Sequence, residues 1–147
     1  MTPLIVFDLD GTLALIEHRK HFIHGRKKNW RRFFAACTDD LPNIPVIATF
    51  QALQAQGHRL EIWSGRSDEV RVETEAWLAQ YYIRAEKLRM RRHDDHSPDD
   101  QLKEKWLLEN ELETGQKPLV IFDDRNKVVA MWRRHGVTCF QVAEGDF

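Results

Sequence analysis

A short apolar segment that stops at two carboxylates places the strongest constraint on how this chain folds. Leu4 to Phe7 is apolar at every position, which is typical of a strand buried on both faces in a parallel sheet. Asp8 and Asp10 follow immediately, and a Gly-Thr pair then turns the chain away. Because the ligands of open α/β sheets bind outside the carboxyl ends of the strands, we expect both carboxylates to lie in a binding site.

Strand-like and helix-like patterns alternate along the rest of the chain. Further strands are predicted at residues 60–64, 87–90, 118–122 and 138–142. Helices are predicted at about residues 45–57, 68–80, 98–115 and 126–135. The 98–115 helix is predicted to face inward with Leu102, Trp106, Leu107 and Leu112. This alternation predicts a Rossmann-like α/β fold, in which helices cover both faces of a central parallel sheet in three layers, α/β/α.

The length and composition predict a single soluble domain, residues 1–147. The 22 basic and 23 acidic side chains nearly balance, so net charge indicates no particular partner. No apolar run approaches the roughly 20 residues of a membrane helix, and the N-terminus lacks a signal-peptide pattern. Cys37 and Cys139 lack metal-ligand spacing, which favours two buried thiols in a reducing compartment. We therefore expect a cytoplasmic protein that does not contact membranes.

Residues 13–40 are predicted to form a small basic cap inserted after the first strand. Seven of them are basic: Arg19, Lys20, Arg26, Lys27, Lys28, Arg31 and Arg32. Most charge runs are solvated helix faces, but this local excess favours a surface that faces an anion. Apolar residues at helical spacing predict a short helix from about Trp30. Trp30 or Phe34 could stack on a base, although packing inside the insertion is the interpretation we favour.

Four carboxylates at strand ends indicate a metal site with covalent chemistry. Asp8, Asp10, Asp123 and Asp124 all follow apolar strands and are expected at one edge of the sheet. Clustered carboxylates repel one another unless a cation binds them, and hard oxygen ligands suit Mg²⁺. A carboxylate free to attack at such a site suits catalysis through an aspartyl-phosphate. Asp10, two residues beyond Asp8, could protonate the leaving oxygen and later activate water.

A phosphoryl group also needs positive charge and hydrogen-bond donors. Ser64 and the backbone amides after it lie at a predicted strand-to-helix turn and could cradle phosphoryl oxygens. Lys103 lies about one turn beyond Asp99 on a predicted helix and could hold the same group. The plainer interpretations are that Ser64 caps a helix and that Lys103 is an exposed lysine paired with Asp99. Each plainer interpretation is about as strong as the functional one.

In their order along the chain, these residues resemble the four motifs of the haloacid dehalogenase-like (HAD) phosphohydrolases. The matching residues are Asp8-Leu9-Asp10-Gly11-Thr12, Ser64, Lys103 and Asp123-Asp124. The resemblance implies that Asp8 is the nucleophile and Asp10 the acid/base. It implies that Ser64 and Lys103 hold the phosphoryl group.

The same resemblance implies a Mg²⁺ site. Its ligands would be the Asp8 carboxylate, the backbone carbonyl of Asp10 and one carboxylate of the Asp123-Asp124 pair. Asp124 is favoured over Asp123 as the direct ligand.

Parts of the chain are similar to the phosphatase half of the bacteriophage polynucleotide kinase/3′-phosphatases. The similarity rests on Ser64-Gly65-Arg66, on Asp99-Asp100-x-x-Lys103 and on residues 123–147. Residues important for activity in that family correspond by position to Arg19, Arg66 and Asp99. Thr12 and Gly65 complete the predicted phosphate- and substrate-binding set. The kinase half and its Gly-x-x-x-x-Gly-Lys-Ser/Thr loop are absent, so the protein is predicted to remove phosphate and not to add it.

Three functions follow from these observations. The first is a Mg²⁺-dependent phosphomonoesterase that removes 3′-phosphates from nucleic-acid ends, acts in nucleic-acid repair and has no obligate protein partner. The second is a phosphatase for nucleotides or other small phosphate esters, with the basic insertion as a lid. The third is a catalytically idle module that binds nucleic-acid ends, which the complete set of site residues argues against. The first is the function that we predict.

Overall fold

The computed structural model describes residues 2–147, and the bounds of its elements are as follows. The strands are β1 (Leu4–Phe7), β2 (Ala14–Leu15), β3 (Leu41–Pro42), β4 (Arg59–Ser67), β5 (Lys87–Arg91), β6 (Val120–Arg125) and β7 (Cys139–Gly145). The helices are α1 (Trp30–Ala35), α2 (Ile44–Ala55), α3 (Arg71–Gln80), α4 (Asp99–Thr114) and α5 (Asn126–Arg134). Short 3₁₀ segments span Glu17–Ile23, Ala36–Asp39 and Asp68–Val70.

Five parallel strands form the central sheet in the order β5-β4-β1-β6-β7, which places β1 in the middle. The side chains of β1 alternate between two cores. Ile5 and Phe7 pack in the core that contains residues of α2 and α3, whereas Leu4 and Val6 pack in the core that contains residues of α4 and α5. The predicted three-layer α/β/α fold is confirmed. Its parallel strands bring the carboxyl ends of β1, β4 and β6 to one edge of the sheet.

Three strands run three residues beyond their predicted ends. β4 ends at Ser67, β6 at Arg125 and β7 at Gly145. The apolar runs stop earlier, but the polar residues after them keep pairing with the neighbouring strand past a shift in register. These shifts lie between Ser64 and Ser67 in β4 and between Asp123 and Arg125 in β6. Such bulges redirect side chains beside active sites, and both occur at predicted site residues.

Helix α4 buries one face, and Leu112 is not on it. The buried face includes Leu102, Trp106, Leu107 and, one turn later, Asn110. Leu112 exposes 87 % of its surface, so its predicted inward position is wrong. It lies about one and a half turns beyond Leu107, which directs it away from the sheet.

Residues 13–40, which lie between β1 and α2, are called the cap below. Helix α1 lies in it between two 3₁₀ segments, and its start at Trp30 confirms the predicted helix. Ile16, Ile23 and Phe33 form a small core of its own. β2 pairs antiparallel with β3, which follows the cap directly. This pair was not predicted, because two-residue strands show no periodicity.

The two cysteines are buried free thiols, as predicted. Burial raises the pKa of both, that of Cys139 to about 12, so both Cys37 and Cys139 are protonated packing groups. Among the helices of residues 2–147, none combines the length and the apolar character that crossing a bilayer requires.

Replacing Phe50 by alanine tests this account of the core. Phe50 is fully buried in α2, and its ring meets that of Phe7 edge-on with the centroids 5.0 Å apart. The cavity left behind is expected to lower the free energy of unfolding by about 3–5 kcal/mol. Leu112→Ala is the control and is expected to change it by less than about 0.5 kcal/mol. Urea denaturation followed by circular dichroism measures both, and equal effects would contradict the assigned core.

Candidate active site

Asp8, Asp123 and Asp124 form a group of buried carboxylates, the acidic cluster, at the carboxyl ends of β1 and β6. One oxygen from each carboxylate lies within 4.8 Å of the others. Burial, reinforced by the charge of Asp123, raises the pKa of Asp8 well above its usual value and that of Asp124 to about 7. Negative charge is therefore in excess at this point, a condition that a bound cation would relieve.

Lys103 extends from α4 into the acidic cluster. Its side chain is 1 % exposed, and its Nζ donates to Oδ1 of Asp8 at 2.6 Å and to Oδ2 of Asp123 at 3.4 Å. Burial lowers the pKa of Lys103, but the carboxylates of Asp123 and Asp8 raise it above its usual value, so the lysine is charged. Asp99, its partner in the plainer interpretation, is 4.0 Å away. Lys103 is therefore not an exposed lysine that pairs only with Asp99.

The two neighbouring carboxylates Asp123 and Asp124 have different surroundings. Oδ1 of Asp123 accepts from the backbone amides of Asp124 at 2.8 Å and Arg125 at 3.3 Å. Its Oδ2 accepts from the Trp132 indole at 3.1 Å as well as from Lys103. The Asp124 carboxylate accepts from the Thr12 hydroxyl at 3.4 Å and from no backbone amide among the described residues. Asp124 therefore has more lone pairs free for a metal ion than Asp123 has.

The turn after β1 brings Gly11 and Thr12 against the same cluster. Gly11 has φ of +80°, and a Cβ atom there would lie 2.0 Å from Oδ2 of Asp124. The position therefore requires glycine for both its conformation and its space. The Thr12 hydroxyl, fully buried, lies 3.2 Å from Oδ2 of Asp8 and bridges toward Asp124. The structure thus places Thr12 between two carboxylates.

Asp10 lies apart from the acidic cluster and contacts two arginines. Its Oδ1 accepts from Nη2 of Arg19 at 2.6 Å and from Nε of Arg66 at 2.8 Å. Burial alone would raise the pKa of Asp10, but the charges and hydrogen bonds of Arg19 and Arg66 lower it to about 2. Asp10 is therefore held as a carboxylate.

Asp40, which was not among the predicted site residues, joins the same two arginines from the other side. Its Oδ2 accepts from Nη2 of Arg19 at 2.6 Å and from Nη2 of Arg66 at 2.9 Å. Its backbone carbonyl accepts from the Trp77 indole at 2.9 Å. Asp10, Arg19, Asp40 and Arg66 are called the arginine network below. In the sequence, the one signal for Asp40 was that an acidic pair closes the basic segment.

The guanidinium groups of Arg19 and Arg66 are completely buried. Both side chains have 0 % exposure, and Arg19 also donates to the carbonyl of Phe33 at 3.2 Å. The structure thus places both arginines behind Asp10, where they set its charge. Contact between either arginine and a substrate phosphate stays a prediction.

The Ser64-Gly65 segment lies within the bulged end of β4. Ser64 is fully buried, and its hydroxyl accepts from the backbone amide of Arg66 at 3.1 Å. Ser67, three residues later, caps the following 3₁₀ segment through the amide of Glu69, so Ser64 is not a helix cap. A Cβ atom on Gly65 would lie 2.0 Å from Oδ1 of Asp99, so glycine permits this contact.

A cavity of about 330 Å³ opens over these strand ends. Asp8, Asp10, Asp124, Gly65 and Asp99 line it, whereas Ser64, Lys103 and the two network arginines lie behind its surface. The cap contributes Lys28, Trp30, Phe33 and Phe34 to the lining of the cavity. Other lining residues include Arg91, Arg125, Lys127 and Phe147. Of the seven basic residues of the cap, Lys28 therefore lines the cavity, and Arg91 of β5 lines it from the sheet.

Neutralising Asp40 tests the arginine network. In Asp40→Asn, two buried guanidinium groups would face the single carboxylate of Asp10, and we expect the free energy of unfolding to fall by about 3–5 kcal/mol. Asp39→Asn is the matched control, because Asp39 is exposed and its removal should cost less than about 0.5 kcal/mol. Chemical denaturation of both variants is the measurement. An Asp40→Asn protein as stable as the Asp39→Asn protein would contradict the structural role given to Asp40.

Comparisons with known proteins identify the family of this chain. The family model for the polynucleotide kinase PNKP phosphatase domain matches residues 2–147. A proposed bifunctional polynucleotide kinase/RNA ligase of Autographa californica nuclear polyhedrosis virus is 31 % identical over 131 residues, which are 88 % of this chain and 17 % of that protein. A chain in the solved Pnkp1/Rnl/Hen1 complex is 35 % identical and has a TM-score of 0.84, over 99 % of this chain and 48 % of that one.

More distant structures share the fold alone. The phosphate complex of CbbY from Rhodobacter sphaeroides has a TM-score of 0.65 at 16 % identity, over 100 % of this chain and 88 % of that one. The present chain spans less than half the length of its viral relative and of the Pnkp1/Rnl/Hen1 chain. The match over residues 2–147 shows that the chain belongs to the family of polynucleotide kinase PNKP phosphatase domains, within the HAD-like hydrolases.

Proposed function

We propose that this protein removes 3′-phosphates from nucleic-acid ends as a Mg²⁺-dependent phosphomonoesterase that works through an aspartyl-phosphate. The observation that carries the proposal is the contact of Asp8 with the buried ammonium of Lys103. Asp10, two residues after Asp8 in the sequence, is ionised. Phosphoryl transfer in two steps needs a nucleophile beside a cation and a second group that moves protons. Asp8 and Asp10 line the same cavity, so one bound phosphate ester could meet both.

The acidic cluster fits Mg²⁺ by its chemistry. Its ligands are all oxygen, and one buried ammonium, that of Lys103, faces three carboxylates, so their charge is incompletely offset. Asp8 and Asp124 would hold the ion, together with the backbone carbonyl of Asp10. Asp123, whose oxygens already accept from protein donors, would support the site from behind. Once bound, Mg²⁺ supplies positive charge against the oxygens of the phosphoryl group.

The side chains of the chain itself account for the bond changes. In the first step a carboxylate oxygen of Asp8 forms a bond to phosphorus, and the bond from phosphorus to the 3′-oxygen breaks. That oxygen takes a proton from Asp10, which must first have taken it from solvent, and leaves as a hydroxyl. In the second step Asp10 takes a proton from water, whose oxygen attacks phosphorus and releases phosphate and the Asp8 carboxylate.

The residues that contact Asp8 and those that contact Asp10 affect the two steps differently. Lys103 stabilises the negative charge on Asp8 that attack requires. Arg19 and Arg66 stabilise the ionised form of Asp10, the form that activates water. The same arginines oppose its protonation, so the acid step carries a free-energy cost that the base step does not.

Support for a nucleic-acid substrate comes from the relatives and from the cavity. The solved Pnkp1 relative belongs to an RNA repair complex, and the viral relative is described as a polynucleotide kinase/RNA ligase. Lys28, Arg125 and Lys127 line the cavity and suit the phosphates of a polyanion. The cavity volume, about 330 Å³, is at the small end for ligand sites and favours a second candidate, a phosphatase for nucleotides or other small esters.

Three expectations about the setting of this protein stay predictions. One is the division of residues 1–147 into a single domain with a cap at residues 13–40. Another is the lack of an obligate protein partner. The relative in the Pnkp1/Rnl/Hen1 structure was solved together with other proteins. The third is the cytoplasmic location, which rests on the free thiols of Cys37 and Cys139.

Phosphate release from a panel of substrates tests the proposed function. The panel contains DNA and RNA oligonucleotides with a 3′-phosphate, the same oligonucleotides with a 5′-phosphate, and nucleoside 3′-monophosphates. We expect kcat/KM for 3′-phosphorylated oligonucleotides to exceed that for the mononucleotides by about tenfold or more and to fall with added salt. Asp8→Asn, which lacks the nucleophile, is the blank and should lower turnover at least about a thousandfold.

Each other outcome removes one part of the proposal. Cleavage of the mononucleotides with intact oligonucleotide ends would leave the small-ester phosphatase. Turnover that survives Asp8→Asn would remove the aspartyl-phosphate. Binding of 3′-phosphate ends without release from any substrate would leave the idle binding module.

Thermal unfolding with and without Mg²⁺ tests the metal site separately from activity. At a free Mg²⁺ concentration of about 100 times the dissociation constant, binding should add about 2.7 kcal/mol to stability and raise Tm. Asp124→Asn should abolish this increase, whereas Asp94→Asn, at an exposed carboxylate outside the cavity, should retain it. A Mg²⁺-dependent rise in Tm that is equal in both variants would place the ion elsewhere.

A further inference from the structure

One side of the active-site cavity is built from aromatic rings. Trp30, Phe33 and Phe34 of the cap and Phe147 of the C-terminal segment all line it, and they are called the aromatic wall below. The three cap rings contact one another, and the centroid of Trp30 lies 6.0 Å from that of Phe34 and 5.6 Å from that of Phe33. The cavity that Asp8 lines thus has an apolar aromatic side next to the acidic cluster.

The four rings of the wall are not equally buried. Phe33 is 2 % exposed and packs with Ile16 and Ile23 in the cap core. Trp30 and Phe34 pack against that core from one side but stay partly exposed. The other four tryptophans of the chain are all buried. Packing of the cap therefore explains Phe33 fully and leaves ring surface of Trp30 and Phe34 in the cavity.

Positive charges border the same wall. The Lys28 ammonium lies 6.0 Å from the centroid of the Trp30 ring. The Arg125 guanidinium lies 5.8 Å from that ring and 4.9 Å from the ring of Phe147. Lys127 also lines the cavity. An aromatic surface bordered by cations suits a ligand that combines a planar ring system with phosphates.

We propose that the aromatic wall is a binding site for the terminal nucleoside of the substrate. Its base lies against Trp30 and Phe34, and the next phosphate of the strand lies toward Lys28 and Lys127. The leaving group of a phosphate ester held at Asp8 would occupy this cavity, because Asp8 and the aromatic wall line the same cavity. The wall would therefore select esters that carry a base. The inference rests on the proposed function and specifies what the site recognises.

The kinetic test removes the base from the substrate and the ring from the protein. Two 3′-phosphorylated oligonucleotides are compared, one with a normal terminal nucleotide and one whose last sugar lacks its base. In the wild-type protein, kcat/KM should be about tenfold or more higher with the base. In Trp30→Leu, which keeps an apolar side chain for the cap core, that ratio should fall below about threefold. Phe34→Leu is expected to reduce it in the same direction.

The control variant and the outcomes separate this inference from the proposed function. Tyr82→Ala removes a 74 % exposed aromatic side chain outside the cavity and should keep the wild-type ratio. Equal kcat/KM for both oligonucleotides in the wild-type protein overturns the base site while leaving a 3′-phosphatase. A base effect that persists in both Trp30→Leu and Phe34→Leu also overturns it. Failure of the protein to cleave either oligonucleotide contradicts the proposed function itself.

A binding measurement with Trp30 in place does not depend on how the leucine variants fold. In the Asp8→Asn protein, the oligonucleotide with a terminal base should quench tryptophan fluorescence, because Trp30 is the partly exposed tryptophan and lies in the cavity. The oligonucleotide that lacks the base should bind with little quenching. Equal quenching by both would contradict stacking on Trp30.

Discussion

Two aspartates and two arginines, buried together, hold the functional parts of this protein in one arrangement. The arginine network connects Asp10 after β1, Arg19 and Asp40 in the cap, and Arg66 in β4. Loss of one member leaves a buried charge without compensation, which is among the most destabilising changes that a single side chain causes. The cap consequently cannot move relative to the strand ends without moving the groups that set the charge of Asp10. Buried ion pairs thus connect the cap to the ends of β1 and β4.

Two residues of the same strand end therefore lie in opposite charge environments. The acidic cluster sets three carboxylates against the one ammonium of Lys103, whereas the arginine network sets two carboxylates against two guanidinium groups. The pKa of Asp8 is raised well above its usual value, and that of Asp10 is lowered to about 2. Pairs of titratable groups whose pKa values are driven apart mark a division of roles. The excess negative charge at Asp8 suits the cation that we propose there, and the balanced network suits the role of proton acceptor that we propose for Asp10.

What the sequence predicted and what it missed have different physical origins. Apolar runs such as Leu4 to Phe7 indicate buried strands, and the carboxylates that follow them come together where parallel strands end. The sheet and the acidic cluster were therefore predictable. Asp40 was not, because its partners come from three separate segments and no local pattern marks it. Leu112 was assigned inward by its type although its spacing directs it outward. The basic cap segment was predicted to face an anion, whereas Arg19 is buried in an ion-pair network and Lys28 is the basic residue of the cap that lines the cavity.

Helix α1 links the two tasks that a site of this kind has to combine. Its inner residue Phe33 lies under the guanidinium of Arg19, whose Cζ is 4.3 Å from the ring centroid, and so supports the network that ionises Asp10. Its neighbours Trp30 and Phe34 line the cavity that the leaving group would occupy in the proposed function. In the proposed function, this helix of six residues would therefore support both the ionisation of Asp10 and the binding of the leaving group. Since the basic side chains of the cap are mostly outside the cavity, they would act on the rate of encounter with a polyanion, whereas the rings would decide which ester is held for reaction. In the proposed function, different residues of the same short segment would therefore attract the substrate and select it.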